Sequence, residues 1–389
     1  MNRRASKLQR ILMLGTFGMQ PKGTMSARAA GIAATLRERG IDTRIATVPW
    51  DNPASAGTSD TWMGVPVTNT RTVNPLFWPL AVRELLQVAG EFQPDLIHLF
   101  KPKGFGDLAA RYLQRRGVPV VVDMDDWEGT GGWNDVLPYS RLQRNLFDWQ
   151  ERTWPRMANG LTVASRTLYQ LAVGHGASEY RVLYLPNQLT AERLADLSTC
   201  SSHREQDREH ASVLLYTRFV EFDPAFPVQV LANLQRGVPG CRLVVAGRSQ
   251  DGHAEQRMLR HARQNGLESS IEMRGWVTPT DLGALTASCD AALVPFDDTM
   301  LNRAKCSVKL LELLATGIPV VASNVGENRE YLQRHGGGVL ARPGDPLDHA
   351  SRLQEILTNP HVVCAADFSH SGSWHAVTDE LLTHFSAAV

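Results

Sequence analysis

Short aliphatic or β-branched runs alternate with helix-like segments from end to end, and this alternation narrows the fold more than any other feature. The runs fall at 11–15, 43–48, 96–100, 118–124, 160–163 and 182–185, then at 213–217, 242–246, 271–274, 291–295 and 319–323. Such alternation is the signature of parallel α/β layers. Between the two series, Asp196 to His210 is charged and nearly free of apolar anchors, so it reads as a linker. The expected organisation is α/β, with one Rossmann-like domain at 1–195, a linker at 196–211, a second Rossmann-like domain at 212–365 and a C-terminal helix within 366–389. Two such domains leave a cleft, and ligands dock beyond the carboxyl ends of parallel strands.

Composition removes several classes of function. The chain has 389 residues, and its 40 basic and 40 acidic side chains cancel, which leaves no general attraction for nucleic acid phosphates. The five cysteines (Cys200, Cys241, Cys289, Cys306, Cys364) are scattered and show no CxxC or Cys/His spacing. Reduced thiols in a cytoplasmic protein, and no metal site, are the expectation. No apolar run approaches the roughly 18 residues of a membrane span, and 11–15 is too short for a signal-peptide core. Four basic residues before position 11 leave peripheral contact with anionic lipid open.

The sharpest segment is 305–323. Its pattern predicts a helix over 306–316, a stop at Gly317 and a buried strand from 318. Val308, Leu311 and Ala315 share a core face, while Lys305, Lys309 and Glu312 form a polar stripe at i, i+4 and i+7. Lysines at a helix start oppose the macrodipole, and an anion held by them and the backbone N–H groups would resolve the conflict. A solvated Lys309–Glu312 pair worth about 0.3 kcal/mol is the competing account.

Three further features follow strand ends. The loop 15–26, with Gly23, joins the first strand to the first helix. It lacks GxGxxG and a Walker ending, and no carboxylate ends the second strand, which speaks against a dinucleotide and leaves a ligand loop or a plain turn. Four tryptophans (Trp127, Trp133, Trp149, Trp154) crowd into 28 residues beside Asp125, Asp126, Glu128 and Asn134. Aromatic faces flanked by carboxylates and amides suit sugar rings, and Asp125 or Asp126 is placed to act as general base or hydroxyl acceptor. Trp149 and Trp154 are expected as helix core, and His98 as a satisfied core histidine. Lys101, Lys103 and Arg218 add cations after strand ends.

The order of these segments resembles glycosyltransferase family 4, of the GT-B fold, over nearly the whole chain. The resemblance rests on Pro94 to His98, Leu161 to Ser165, Leu185-Pro-Asn187, Thr217-Arg218, Leu243 to Gly247, Arg274 to Val277, Ala291 to Pro295 and above all Glu312 to Ala322. It implies retaining transfer of a sugar from a nucleotide-diphosphate sugar, without metal or other cofactor, to an acceptor held by the N-terminal domain. By the resemblance, Glu312 takes the ribose hydroxyls, and the Ser307 and Val308 amides meet the diphosphate. Arg218 neutralises the leaving phosphate, and Gly247, Trp276 and Val277 surround the base. Two positions depart from the pattern: Ala304 replaces a glutamate, and no lysine follows Arg218. Asp297 or Asp298, and Lys305 or Lys309, are the expected substitutes. A UDP-sugar is the favoured donor. The acceptor is expected to be a glycan, a lipid-linked sugar or a small molecule meeting Lys103, Trp127, Trp133 and Asn134. A nucleotide-sugar epimerase and a non-catalytic GT-B binding protein are the alternatives.

Overall fold

The computed structural model describes residues 8–20, 23–199, 210–249, 252–278, 280–359, 363–368 and 372–389. Two parallel sheets form the frame, as the strand–helix alternation predicts. The first contains β1 (Arg10–Gly15), β2 (Asp42–Thr47), β3 (Ser59–Trp62), β4 (Val65–Asn69), β5 (Leu96–Phe100), β6 (Val120–Met124), β7 (Gly160–Val163) and β8 (Val182–Tyr184). The second contains β9 (Ser212–Tyr216), β10 (Arg242–Ala246), β11 (Ile271–Gly275), β12 (Ala291–Val294), β13 (Val320–Ser323) and β14 (Gly338–Ala341). Their orders are β3-β4-β2-β1-β5-β6-β7-β8 and β11-β10-β9-β12-β13-β14, and only the β3–β4 pair is antiparallel.

Contacts divide the chain into two compact units. One runs through Thr190 and includes Ala304–Cys306 and Ser373–Val389; the other holds Ala191–Arg303 and Ser307–Gly372. Most of the expected linker, 200–209, lies outside the described residues, as do Cys200 and residues 1–7. Its first residues, however, complete the Ala191–Thr199 helix. Strands β3, β4 and β14 were not anticipated from the sequence.

The terminal helix Trp374–Ala388 packs on the first unit through Trp374, Leu381 and Phe385, as its helical spacing suggests. Gly31 permits this, because a Cβ there would stand 2.3 Å from the Trp374 indole nitrogen. Trp374 is 2 % exposed, so Trp374→Ala empties a large volume without room to collapse. The expected loss is about 3–5 kcal/mol, read from the denaturant midpoint.

Candidate functional site

Strand order in the second sheet reverses between β9 and β12. Helices leave a parallel sheet in opposite directions at such a point, and the edge between them stays open to a ligand. A cavity lies there, with Tyr216, Thr217, Glu221, Phe296, Ser307 and Lys309 among its walls. Gly247 packs on Thr217 of that lining: its φ is +129° and a Cβ would fall 1.7 Å from the Thr217 carbonyl oxygen, so no other residue fits. Arg218 and Trp276 are exposed beyond β9 and β11, and Val277 is half-buried.

The Val308–Ala315 helix opens beside this cavity. Ser307 caps it, accepting from Leu310 N–H at 3.4 Å, and Gly317 at φ 71° follows its last turn. Leu310, Leu311, Leu313 and Leu314 fill the core, which leaves Lys309 and Glu312 on the other face. Val308 is half-buried rather than core. Lys309 Nζ lies 4.9 Å from the Tyr216 ring centroid. Glu312 Oε1 accepts from Arg193 Nε at 3.0 Å and Nη2 at 2.7 Å. Burial raises the Glu312 carboxyl above the usual range, and Arg193 offsets part of that rise. The competing account, a solvated Lys309–Glu312 pair, does not describe Glu312, whose hydrogen-bonding partner is an arginine from another helix.

The helix starts two residues later than expected, so Lys305 is not on its stripe; its Nζ stands 5.5 Å from the Trp133 ring instead. Ala304 is fully buried. Asp298 is bound by Arg303 at 2.5 and 2.8 Å, whereas half-buried Asp297 accepts from Asp223 N–H at 3.1 Å. After Arg218, where the family pattern has a lysine and this chain has none, Glu221 sits 7 % exposed in the cavity wall.

In the first sheet the order reverses between β1 and β5, and charges gather beyond those strands. Lys101 follows β5 in the left-handed region at φ 55°, a strained setting that its three carboxylate partners stabilise. Its Nζ donates to Asp126 at 2.8 Å and Glu128 at 3.0 Å, and stands 3.5 Å from Asp125 Oδ1. Lys103 donates to Glu128 at 2.6 Å and to the Tyr139 hydroxyl at 2.9 Å. Asp125 Oδ2 accepts from Thr24 at 2.7 Å, while its buried Oδ1 accepts no hydrogen bond. The π-helical turn Thr24–Ala29 also aims Arg28 at Asp123, which it grips at 2.8 and 2.7 Å. Burial pushes Asp125 up to about 6 against the pull of Lys101. Burial also acts on Glu128, but Lys101 and Lys103 hold it down to about 2. Glu151, fully buried with neither oxygen bonded, is raised well above its usual range by burial and then by Glu128.

The first-unit expectations separate sharply. Asp125 and Asp126 meet in one cluster, but Trp127 is 2 % exposed, stacked on His175 at 5.6 Å, so it is packing rather than a sugar platform. Lys103 is likewise enclosed, its ammonium consumed within the cluster. Trp133 is half-buried, and Asn134 is buried, donating to the Arg144 carbonyl at 2.8 Å. Gly23 is exposed in open space. Trp154 is core as expected, but Trp149 is 49 % exposed over Arg111. His98 is a core residue bonded to Thr162 at 3.1 Å, pushed down to about 3 by burial. Arg28, Glu151 and Arg193 carry no local sequence signal, because tertiary packing alone brings them to their neighbours.

The two carboxyls predict opposite pH effects. Asp125 binds its proton more tightly folded than unfolded, where 3.8 applies, so its cost is absent at low pH and complete above its folded value. Asp125→Asn should raise stability by about 1–3 kcal/mol near pH 8 and by nothing near pH 4. Glu128 is the reverse: it stabilises above its unfolded value of 4.5, and that contribution is lost as pH falls toward 2. Glu128→Gln should therefore destabilise at neutral pH, with the difference shrinking below about pH 4.5 in denaturant titrations.

Residues 23–188 match the glycosyl transferase 4-like domain, and residues 222–359 match glycosyl transferases group 1. The chain is 24 % identical to the phosphatidyl-myo-inositol mannosyltransferase of Mycobacterium leprae, covering 96 % of this chain and 95 % of that one. It is 26 % identical to the GDP-mannose-dependent alpha-mannosyltransferase of Mycobacterium tuberculosis, over 78 % and 75 %. Among solved structures it resembles HepE of Anabaena in complex with UDP, with TM-score 0.63, 16 % identity and coverage of 98 % and 97 %. Sheet order and strand-end geometry agree with both domain matches: the chain belongs to glycosyltransferase family 4, the retaining, nucleotide-sugar-dependent glycosyltransferases of GT-B fold.

Proposed function

We propose that the second unit holds the nucleotide-sugar donor at its β9–β12 edge and that the first unit orients the acceptor. The carrying observation is that Lys309 and Ser307, the cap of the Val308–Ala315 helix, line one cavity, with Glu312 one turn further along that helix. Glu312 accepts from the ribose hydroxyls. The helix N-terminus, Lys309 and Arg218 face the diphosphate, where leaving-group charge develops and fixed donors lower the barrier most. Lys309 takes the place of the absent lysine, because it lines the cavity. Asp297 takes the place of the glutamate replaced by Ala304, because Asp298 is engaged by Arg303. Trp276 and Val277 flank the base, and UDP is the nucleotide favoured. Asp125, whose Oδ1 lies 3.5 Å from Lys101 Nζ and accepts no hydrogen bond, receives the acceptor hydroxyl on the first unit.

The acceptor is a lipid-borne hydroxyl. The mannosyltransferase relative is named for a phosphatidylinositol, and this chain exposes Leu76 by 82 %, Phe77 by 55 %, Trp78 by 49 % and Leu80 by 49 % in five residues. The adjacent Glu84 carboxylate turns inward to the Arg71 and Thr72 amides and the Thr72 hydroxyl, leaving Arg71 and Arg83 as exposed charges beside the apolar group. Interfacial aromatic residues beside cations suit an anionic bilayer surface. Among the described residues no helix is long and apolar enough to cross a membrane; the contact proposed is a peripheral one, made by this apolar group and its flanking arginines.

Calorimetric titration with UDP, GDP, ADP and dTDP tests the donor site. One nucleotide should bind, and Glu312→Ala should weaken it by about 1–3 kcal/mol. Failure of all four to bind would remove the assignment. For the acceptor, Phe77→Ser with Trp78→Ser should abolish sedimentation with phosphatidylglycerol vesicles at unchanged nucleotide affinity. Equal sedimentation of the variant would overturn the lipid reading.

A further inference from the structure

The best-defined polar contact near the donor cavity comes from a residue that the family pattern does not supply. Arg193, in the Ala191–Thr199 helix, sends Nε and Nη2 to the same oxygen of Glu312, at 3.0 and 2.7 Å. Both side chains are largely enclosed, with 19 % and 13 % of their surface exposed. Glu312 Oε2 carries no hydrogen bond among the described residues. Both donors of Arg193 therefore fix the carboxylate through Oε1.

We infer that Arg193 is a positioning residue for nucleotide recognition, fixing Glu312 through Oε1 so that Oε2 meets a ribose hydroxyl. This rests on the reading of Glu312 as the ribose-binding carboxylate. Two linked effects follow from the geometry. A carboxylate held by two donors on one oxygen loses little orientational freedom on binding, which preserves affinity. A cation in direct contact also keeps an enclosed carboxylate ionised, and an ionised acceptor makes the stronger hydrogen bond. The other titratable groups facing Glu312 are Lys309 on its own helix and the Tyr216 phenol on β9. Lys309 favours the charged form, whereas burial and the Glu312 charge keep Tyr216 neutral. Arg193 is thus the principal force holding Glu312 charged.

The test is titration of the full chain with UDP, or whichever nucleotide binds in the preceding experiment, across about pH 5 to 8. Arg193→Ala should weaken binding about tenfold or more at neutral pH and add an acid limb, because burial no longer offset by Arg193 favours the protonated Glu312 carboxyl. Arg193→Lys should restore most of the affinity and remove the limb. Adding Glu312→Gln to Arg193→Ala should abolish the pH dependence. Unchanged or tighter binding by Arg193→Ala would overturn the inference, and tighter binding would make the pair a plug over the site. A flat pH profile with lost affinity would reduce Arg193 to a structural role. If Glu312→Ala itself binds nucleotide normally, the donor reading fails; if only Arg193→Ala is without effect, this inference alone fails. Circular dichroism melting of each variant confirms folding, and Arg193→Lys supplies the answer if Arg193→Ala does not fold.

Discussion

In a parallel sheet every strand delivers its carboxyl end to the same edge, and the loops that follow must share that edge. Where strand order reverses, the crossover helices part and leave it uncovered. Both sheets of this chain obey that constraint, at β1–β5 and at β9–β12. Residues distant in sequence therefore arrive together for topological reasons. Thr217, Phe296 and Lys309 line one cavity because β9 and β12 are neighbours and a helix start abuts them. Lys101 and Glu128 meet because β5 and β6 are neighbours.

The two edges treat charge differently, and the difference separates their chemistry. At the second sheet Lys309 and the Ser307 cap of the helix start line a cavity. At the first sheet two lysines are enclosed by Asp125, Asp126, Glu128 and Glu151. Glu151 and Asp125 are the members of this cluster whose burial favours the protonated form. The buried Arg28–Asp123 pair braces this edge, and Arg28 also donates to Asn187 at 3.0 Å. Asn187 in turn donates to the Cys306 carbonyl at 2.7 Å, so one network ties the first helix, β6 and the segment before Ser307.

Much of this was legible in the sequence because buried parallel strands are short, apolar and evenly separated by helices. Strands β5, β7 and β10 fall on the residues their aliphatic runs mark. The elements that escaped lack that signal. Strand β3 is an exposed edge with the sequence Ser-Asp-Thr-Trp, β4 contains Pro66, and β14 is four residues behind a run of glycines. The motif 305–323 was readable as helix, stop and strand, but not its true start, since Ser307 caps the helix and moves Lys305 outside it. Trp149 and Trp154 could not both be core: five residues on a helix rotate the side chain by about 140°. Trp127 was misjudged because a strand-end position says where a residue lies, not whether its ring faces solvent. The Arg193–Glu312 pair was invisible, being 119 residues apart and fixed only by tertiary packing.

The central claim is that the nucleotide lies at the β9–β12 edge of the second unit. Backbone amide hydrogen exchange with and without saturating UDP tests it most directly, because it reports location rather than affinity. The account predicts slowed exchange at 216–222 and 307–312, the cavity wall and the capped helix start, with the β5–β6 edge of the first unit unchanged by nucleotide alone. Protection confined to residues 101–128, with the second-unit segments exchanging as before, would contradict it.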